Sequence, residues 1–175
     1  MTKQLVQVSL TLKEAFETFS MYGFTIDYPE DSRVEFNSKS RREAGDVVFR
    51  LPEDIRIFLS WGELEKVSKR FGSPEEHANY SLDVMGRGKR VQNFERVSRD
   101  TLNLHNHKCS VNKVRFDEKT LSLFTRGKCI PREAYSLHVH CDKSKRYFVL
   151  YTMTPADKIE FNKIMESMNE SFKCH

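Results

Sequence analysis

The sequence lacks the features that mark membrane-spanning and secreted proteins. No apolar run approaches the roughly 18 residues that a bilayer-spanning helix needs. The first twenty residues carry acidic side chains and lack the apolar core of a signal peptide. The chain has four cysteines but no Cys-x-x-Cys pair, which excludes zinc-ribbon and thioredoxin motifs. We therefore expect a cytoplasmic chain with reduced thiols and no membrane partner.

Glycine is also scarce, with 7 residues in 175, and no glycine-rich phosphate loop is present. The two glycines of "MGRGKR" (85–90) do not have the spacing of a nucleotide-binding loop. Cys129 lies between Lys128 and Arg132, which favour a thiolate, but no oxyanion-hole motif accompanies it. The sequence leaves open whether the protein is an enzyme, and the missing motifs favour a non-catalytic protein.

What is present is typical of one folded domain. Hydrophobic residues make up 38% and charged residues 31% of the 175 residues, and the net charge is +4. We expect a single domain over 1–175, in which residues 1–20 form a strand and helix extension and residues 21–175 form the core. The pattern of residues 11–20 predicts a short helix in that extension.

The pattern of the remaining chain predicts strands and two helices. Apolar alternation predicts strands at 22–31 and 33–37, a hairpin at 46–61, and four more strands between residues 89 and 153. The last of these, "RYFVLYTM" (146–153), is apolar on both faces, so we expect a central strand that is covered on both sides. Ser73, Pro74 and Glu76 form a capping box that predicts a helix over 73–85. Thr154, Pro155 and Asp157 predict a second helix start, with Thr154 as cap. This order indicates an α+β fold with an antiparallel sheet and helices on its faces.

Two segments resemble the PsbP/Mog-type family. "YGFTIDYPEDSRVEF" (22–36) is similar to the opening of those domains, and "RYFVLYTMTPADKIEFNKIMESMNESFK" (146–173) is similar to their ending. Ser32 and Arg33 stand where the family usually carries Trp. The resemblance implies an αβα sandwich with a central antiparallel sheet of six or seven strands, helices on both faces, and a prokaryotic, archaeal member. It implies no catalytic residues, since proteins of this fold act as binding modules.

Histidines and cysteines occur in two short groups, "LHNHKC" (104–109) and "YSLHVHCD" (135–142). On a strand His138 and His140 share one face, so they are candidate zinc ligands together with His105 or His107. The alternative is that the histidines lie on a half-solvated sheet face, with His105 and His107 in a turn. Under this interpretation Cys141 packs in the core, Cys174 and His175 fray, and no cofactor is bound. A third interpretation is a pH-sensitive or ligand-binding pocket on the face of His138 and His140.

Three basic, turn-like stretches are candidates for binding phosphate groups. If they gathered at one end of the sheet, they would form a nucleic-acid-binding patch. The alternative is three separate solvated turns, because acidic residues lie close to each. The candidate residues are Lys39, Arg41, Arg42, Arg87, Lys89, Arg90, Lys143, Lys145 and Arg146.

These observations favour a cytoplasmic, non-catalytic binding or adaptor protein that recognises another protein, whose identity the sequence does not give. The first alternative is a zinc-binding protein or enzyme that uses the histidine and cysteine groups. The second is a nucleic-acid-binding module that uses the basic turns.

Overall fold

The computed structural model describes residues 15–120, 127–156 and 159–175. The strands are β1 (Phe16–Met21), β2 (Phe24–Pro29), β3 (Arg33–Phe36), β4 (Gly45–Arg50), β5 (Arg56–Glu63), β6 (Val91–Leu104), β7 (His107–Lys119), β8 (Cys129–Cys141) and β9 (Arg146–Pro155). The helices are α1 (Leu64–Ser68), α2 (Pro74–Gly86) and α3 (Ile159–Ser171). No helix in the described part of the chain is long and apolar enough to span a bilayer.

Seven strands form one antiparallel sheet in the order β3-β4-β5-β9-β8-β7-β6, and β1 and β2 form a separate hairpin. The predicted α+β fold with an antiparallel sheet of six or seven strands is confirmed, and β9 is central as expected. The hairpin at 46–61 is also confirmed as β4 and β5. One further expectation is wrong, since β9 is not covered on both faces. Tyr151 and Met153 on one of its faces are 39% and 42% exposed.

The large core lies between one face of the sheet, the β1–β2 hairpin and α3. Phe24, Phe49, Trp61 and Phe148 are at most 2% exposed and belong to it, together with residues of α3 such as Met165. Fully burying each large apolar side chain stabilises the fold by roughly 1.5–3 kcal/mol. These contacts fix α3 and the residues that follow it against the sheet.

A smaller cluster holds α2 against β7 and β8. Leu82 packs on Val114, Phe116 and Ala134, whose alternation places them on the sheet face opposite the large core. The predicted helix start is confirmed: the hydroxyl of Ser73 accepts a hydrogen bond from the backbone N–H of Glu76 at 3.2 Å. Ser73 is therefore the N-cap residue, and α2 begins at Pro74 directly after it.

Two predicted helix positions are wrong. Phe16–Met21 is a strand paired with β2 rather than part of a helix over 11–20, and residues 11–14 lie outside the described residues. Thr154 and Pro155 belong to β9, where Thr154 pairs with Glu133, so Thr154 does not cap the last helix. The described part of that helix begins at Ile159, and Asp157 lies outside the described residues.

The two ends of the sheet differ in what they bring together. At the end where β8 finishes, here called the Cys141 end, β7 and β9 begin and β6 finishes. At the opposite end, here called the Cys129 end, β8 begins and β7 finishes. The turn from β6 to β7 consists of His105 and Asn106, both with positive φ (47° and 69°), as a two-residue hairpin turn requires. The predicted turn is confirmed for His105 and wrong for His107, which begins β7 and pairs with Leu104.

Candidate metal centre

His107 and Cys141 are brought together by strand pairing. His107 begins β7 and Cys141 ends β8 at the same end of the sheet. The antiparallel register pairs Cys109 with Val139. Two residues back on β7 and two residues forward on β8, His107 therefore lies opposite Cys141. Residues two apart share a face, so both project toward the large core that contains Cys109 and Val139.

The segment that follows α3 adds a second cysteine and histidine at the same place. Lys173 exchanges two backbone hydrogen bonds with Thr25, both of 2.9 Å. Phe172, 3% exposed, packs on two core phenylalanines. Arg146 donates to the carbonyl of Cys174 at 3.2 Å. Cys174 is only 3% exposed, so the expectation that this segment frays is wrong.

Four side chains converge here, and their candidate ligand atoms all lie within 4.8 Å of one another: His107, Cys141, Cys174 and His175. Cys141 Sγ lies 3.8 Å from His107 Nε2 and 3.6 Å from His175 Nδ1, and Cys174 Sγ lies 3.4 Å from His175 Nδ1. The edges of a tetrahedron are about 1.6 times the centre-to-corner distance, so zinc bonds of 2.0–2.3 Å give edges of roughly 3.3–3.8 Å. The measured distances match those edges. Among the described residues, this is the one group of three or more metal-ligand side chains.

The electrostatics of the two thiols favour one thiolate. Hydrogen bonds from the Cys174 thiol, from the backbone N–H of Ser144 at 3.4 Å and from His175 lower the pKa of Cys141 to about 4. The pKa of Cys174 is raised, because its thiol donates to the sulfur of Cys141 and because it is buried. A bound cation would favour the thiolate form of both cysteines.

Cys109 lies next to this cluster but is not one of its four candidate ligands. It is fully buried, and its thiol donates to the carbonyl of His107 at 3.2 Å. Burial raises the pKa of Cys109 to about 11, so it stays a neutral thiol at physiological pH. Cys109 therefore helps to hold the backbone of His107, whereas Cys129 is exposed at the other end of β8.

The other predicted ligands lie elsewhere. His105 is in the hairpin turn, with Nε2 3.2 Å from the carbonyl oxygen of Glu170. His138 and His140 lie on the opposite sheet face and contact His77 of α2, with ring centroids 4.8 Å and 5.7 Å from its own. The interpretation of a half-solvated histidine face is wrong for His138, which is 1% exposed beneath α2. Of the four predicted ligands, the structure brings only His107 to the cluster.

The sequence analysis missed Cys141, Cys174 and His175 as a group. One signal was available, because strand alternation places Cys141 on the same face as Leu137 and Val139. The adjacent pair Cys174–His175 was a second signal. Neither reveals that the chain returns to the start of β7 after α3, because that return depends on the packing of α3 and on the bridge from Lys173 to Thr25.

The basic turns divide between the two ends of the sheet. Arg146 donates to the carbonyl of Arg42 at 2.9 Å, so the turns before β4 and before β9 meet at the Cys141 end. The backbone N–H of Lys119 donates to the carbonyl of Arg90 at 2.8 Å, which places the third turn at the Cys129 end. Arg146 itself is 4% exposed and is not available to a surface ligand. The structure thus places Lys39, Arg41, Arg42, Lys143 and Lys145 at one end of the sheet and Arg87, Lys89 and Arg90 at the other.

Comparison with models of known protein families and with curated proteins found no match. Among solved structures, the chain is similar to the solution structure of cyanobacterial PsbP (CyanoP) from Synechocystis sp. PCC 6803. The TM-score is 0.61, and the match covers 99% of this chain and 98% of that chain. The sequence identity is 11%, so the likeness shows a PsbP-like fold and nothing of function.

Proposed function

We propose that this chain is a metal-binding protein that holds one zinc ion between His107, Cys141, Cys174 and His175. The observation that carries the proposal is the convergence of these four side chains within 4.8 Å, with three of the distances between their ligand atoms at 3.4–3.8 Å, the range of the edges of a tetrahedral zinc site. Two thiolates and two imidazoles are a donor set that suits zinc among the common divalent metals.

The role of the ion would be structural. Four protein ligands complete a tetrahedral zinc site and leave no open position for a substrate, which is the arrangement of structural rather than catalytic zinc. The ligands come from the start of β7, the end of β8 and the segment after α3, which are far apart in sequence. One ion would therefore cross-link three parts of the fold at the Cys141 end.

A non-catalytic binding module is the function that such a site would support. The sequence resemblance of residues 22–36 and 146–173 to a family of binding modules supports this role. Recognition of another protein is the role we favour, and the two basic turns at the Cys141 end favour an acidic partner surface. Membership of the PsbP/Mog-type family, an archaeal source and a cytoplasmic location stay predictions.

Elemental analysis of the untagged, extensively dialysed protein tests the metal site. We expect about one zinc per chain, and we expect Cys141→Ser and Cys174→Ser each to lose most of it. Replacement by cobalt(II) gives an independent readout, because tetrahedral thiolate coordination produces intense visible and near-ultraviolet absorption bands. The matched controls are Cys129→Ser and His140→Asn, which change an exposed cysteine and a histidine outside the cluster and should retain the metal.

Two outcomes would contradict the proposal. One is a protein that binds no zinc or cobalt when reconstituted under reducing conditions. The other is a metal content that His140→Asn abolishes and Cys141→Ser does not, which would place the ion at the histidines on the opposite face.

A further inference from the structure

A cavity lies on the opposite side of the sheet from the proposed metal centre. It opens between α2 and strands β8 and β9 and encloses about 210 Å³. This is the space of about seven water molecules, enough for a small organic molecule of similar heavy-atom count. Its walls are mainly apolar and include Leu82, Met85, Ala134, Val149 and Tyr151. Ligand sites commonly combine such walls with a few polar groups.

Two buried polar groups line this cavity. Ser136 and His138 are two residues apart on β8 and share the face toward α2. Ser136 is 9% exposed and His138 is 1% exposed. The hydroxyl oxygen of Ser136 and Nδ1 of His138 have no hydrogen-bond partner among the described residues. Burying such groups unpaired costs free energy, which a ligand that pairs with them would recover.

The lining also restricts the charge of a ligand. None of the described residues that line the cavity is Asp, Glu, Lys or Arg. Burial lowers the pKa of His138 to about 3, so its ring is neutral at physiological pH. An ionised ligand would lose its hydration without gaining an opposite charge. The site therefore suits a neutral molecule.

The aromatic ring of Tyr151 in the cavity wall indicates the shape of the ligand. Tyr151 lines the cavity, is 39% exposed and stacks on Phe58 with ring centroids 4.9 Å apart and an interplanar angle of 10°. Flat rings of this kind pack well on another ring. Leu82 and Met85 on α2 form the opposite wall, and an unbranched Met side chain adapts to different shapes.

We propose that this cavity binds a small neutral molecule with an aromatic or aliphatic body and one hydrogen-bonding head group, which Ser136 and His138 recognise. A monocyclic phenol is the simplest member of that class. The site is independent of the metal centre, because it uses the other face of β8 and shares no residue with it.

The test compares p-cresol with toluene, which lacks the hydroxyl group, by titration into the full-length protein followed by ¹H–¹⁵N correlation spectra. We expect saturable binding of p-cresol with shifts at Leu82, Ser136, His138 and Val149. Toluene should bind about tenfold more weakly, because it leaves both polar groups unpaired.

The variant Ser136→Ala separates recognition from packing. It removes an unpaired buried hydroxyl, so the ligand-free protein should keep or raise its melting temperature. Binding of p-cresol should weaken about threefold to tenfold, whereas binding of toluene should be unchanged or improved. Ser20→Ala, a change at an exposed position on β1, is the matched control. It should alter neither the melting temperature nor the binding of either compound.

Three results would overturn the proposal. The first is no saturable shift with either compound up to its solubility limit, which would mean a cavity that holds only water. The second is equal binding of both compounds with no effect of Ser136→Ala. The third is a set of shifts that maps away from α2 and β8.

Discussion

At the scale of single residues, Arg146 holds several parts of the chain together. Its guanidinium group donates to the carbonyls of Tyr22, Gly23, Arg42 and Cys174 at distances of 2.6–3.2 Å. A planar group with five N–H donors can satisfy four separate acceptors, which an ammonium group cannot do in the same geometry. Arg146 was a candidate for a surface patch in the sequence, but its partners are backbone groups.

We therefore expect Arg146→Lys to lower the free energy of unfolding by about 2–4 kcal/mol, because it leaves buried carbonyls unpaired. Urea denaturation at neutral pH measures the change. Arg132→Lys is the matched control, because Arg132 makes a part-exposed ion pair with Glu118 at 2.9 Å, and it should cost less than about 1 kcal/mol. Equal effects of the two variants would refute the structural role of Arg146.

Part-buried His77 on α2 and buried His138 beneath that helix predict a dependence of stability on pH. Burial lowers the pKa of His77 to about 4 and that of His138 to about 3, with smaller contributions from the neighbouring His140. An unfolded histidine titrates near 6.5. Between about pH 6.5 and pH 4 the unfolded chain thus binds more protons than the folded chain, and the free energy of unfolding falls as the pH falls.

Urea midpoints at pH 7, 6 and 5 in the presence of a chelator test this prediction without a contribution from metal release. We expect a steady decrease in the midpoint, and a smaller decrease for His77→Phe, which keeps a ring stacked on Phe71. His105→Asn, a change in an exposed turn, should behave as the parent protein. A midpoint that stays constant down to pH 5 would contradict the predicted burial of neutral histidines.

At the scale of elements, the β6–β7 hairpin separates the role of His105 from that of His107. His105 and Asn106 both have positive φ, a conformation that costs side-chain-bearing residues of order 1 kcal/mol each. Replacing the pair by Asn-Gly, the preferred sequence of this turn, should stabilise the protein by about 1 kcal/mol and leave the zinc content unchanged. Thermal unfolding and elemental analysis of His105→Asn/Asn106→Gly measure both. A loss of metal would show that His105 is a ligand after all.

Elements with local signals could be predicted from the sequence, and elements governed by distant contacts could not. The start of α2 follows from Ser73 and Pro74 alone, because a cap is a contact within one turn. Thr154 and Pro155 present the same signal, yet pairing of Thr154 with Glu133 continues β9 instead. Phe16–Met21 has apolar residues at helical spacing, but pairing with β2 makes it a strand.

The same distinction applies to the metal centre. The sequence contains every histidine and cysteine, and alternation along β8 correctly separates the face of His138 from that of Cys141. The sequence does not reveal that the start of β7, the end of β8 and the segment after α3 lie close together in space. This proximity depends on the register between β7 and β8 and on the packing of α3 in the core, and both involve residues far apart in the chain.

At the scale of the whole molecule, the proposed zinc ion would act on one end of the sheet only. Residues 172–175 are held there by the Thr25–Lys173 bridge, by the packing of Phe172 and by the hydrogen bond from Arg146. The bridge contributes only two backbone hydrogen bonds, so without the ion this segment should open at a lower free energy than the central strands. A ligand that binds only the folded state stabilises that state, so the ion should stabilise the closed position of this segment.

We therefore expect metal removal to increase amide hydrogen exchange locally. After chelation, the amides of Thr25 and Lys173 should lose protection by about tenfold or more, whereas those of Leu59 and Leu150 in the paired strands β5 and β9 should change little. Cys174→Ser should show the same exchange pattern without chelator, and Cys129→Ser should not. Two results would contradict this prediction. Uniform loss of protection across the sheet would mean that the ion stabilises the entire fold. Unchanged exchange would mean that the Thr25–Lys173 bridge and the core contacts of Phe172 suffice to close this end of the molecule.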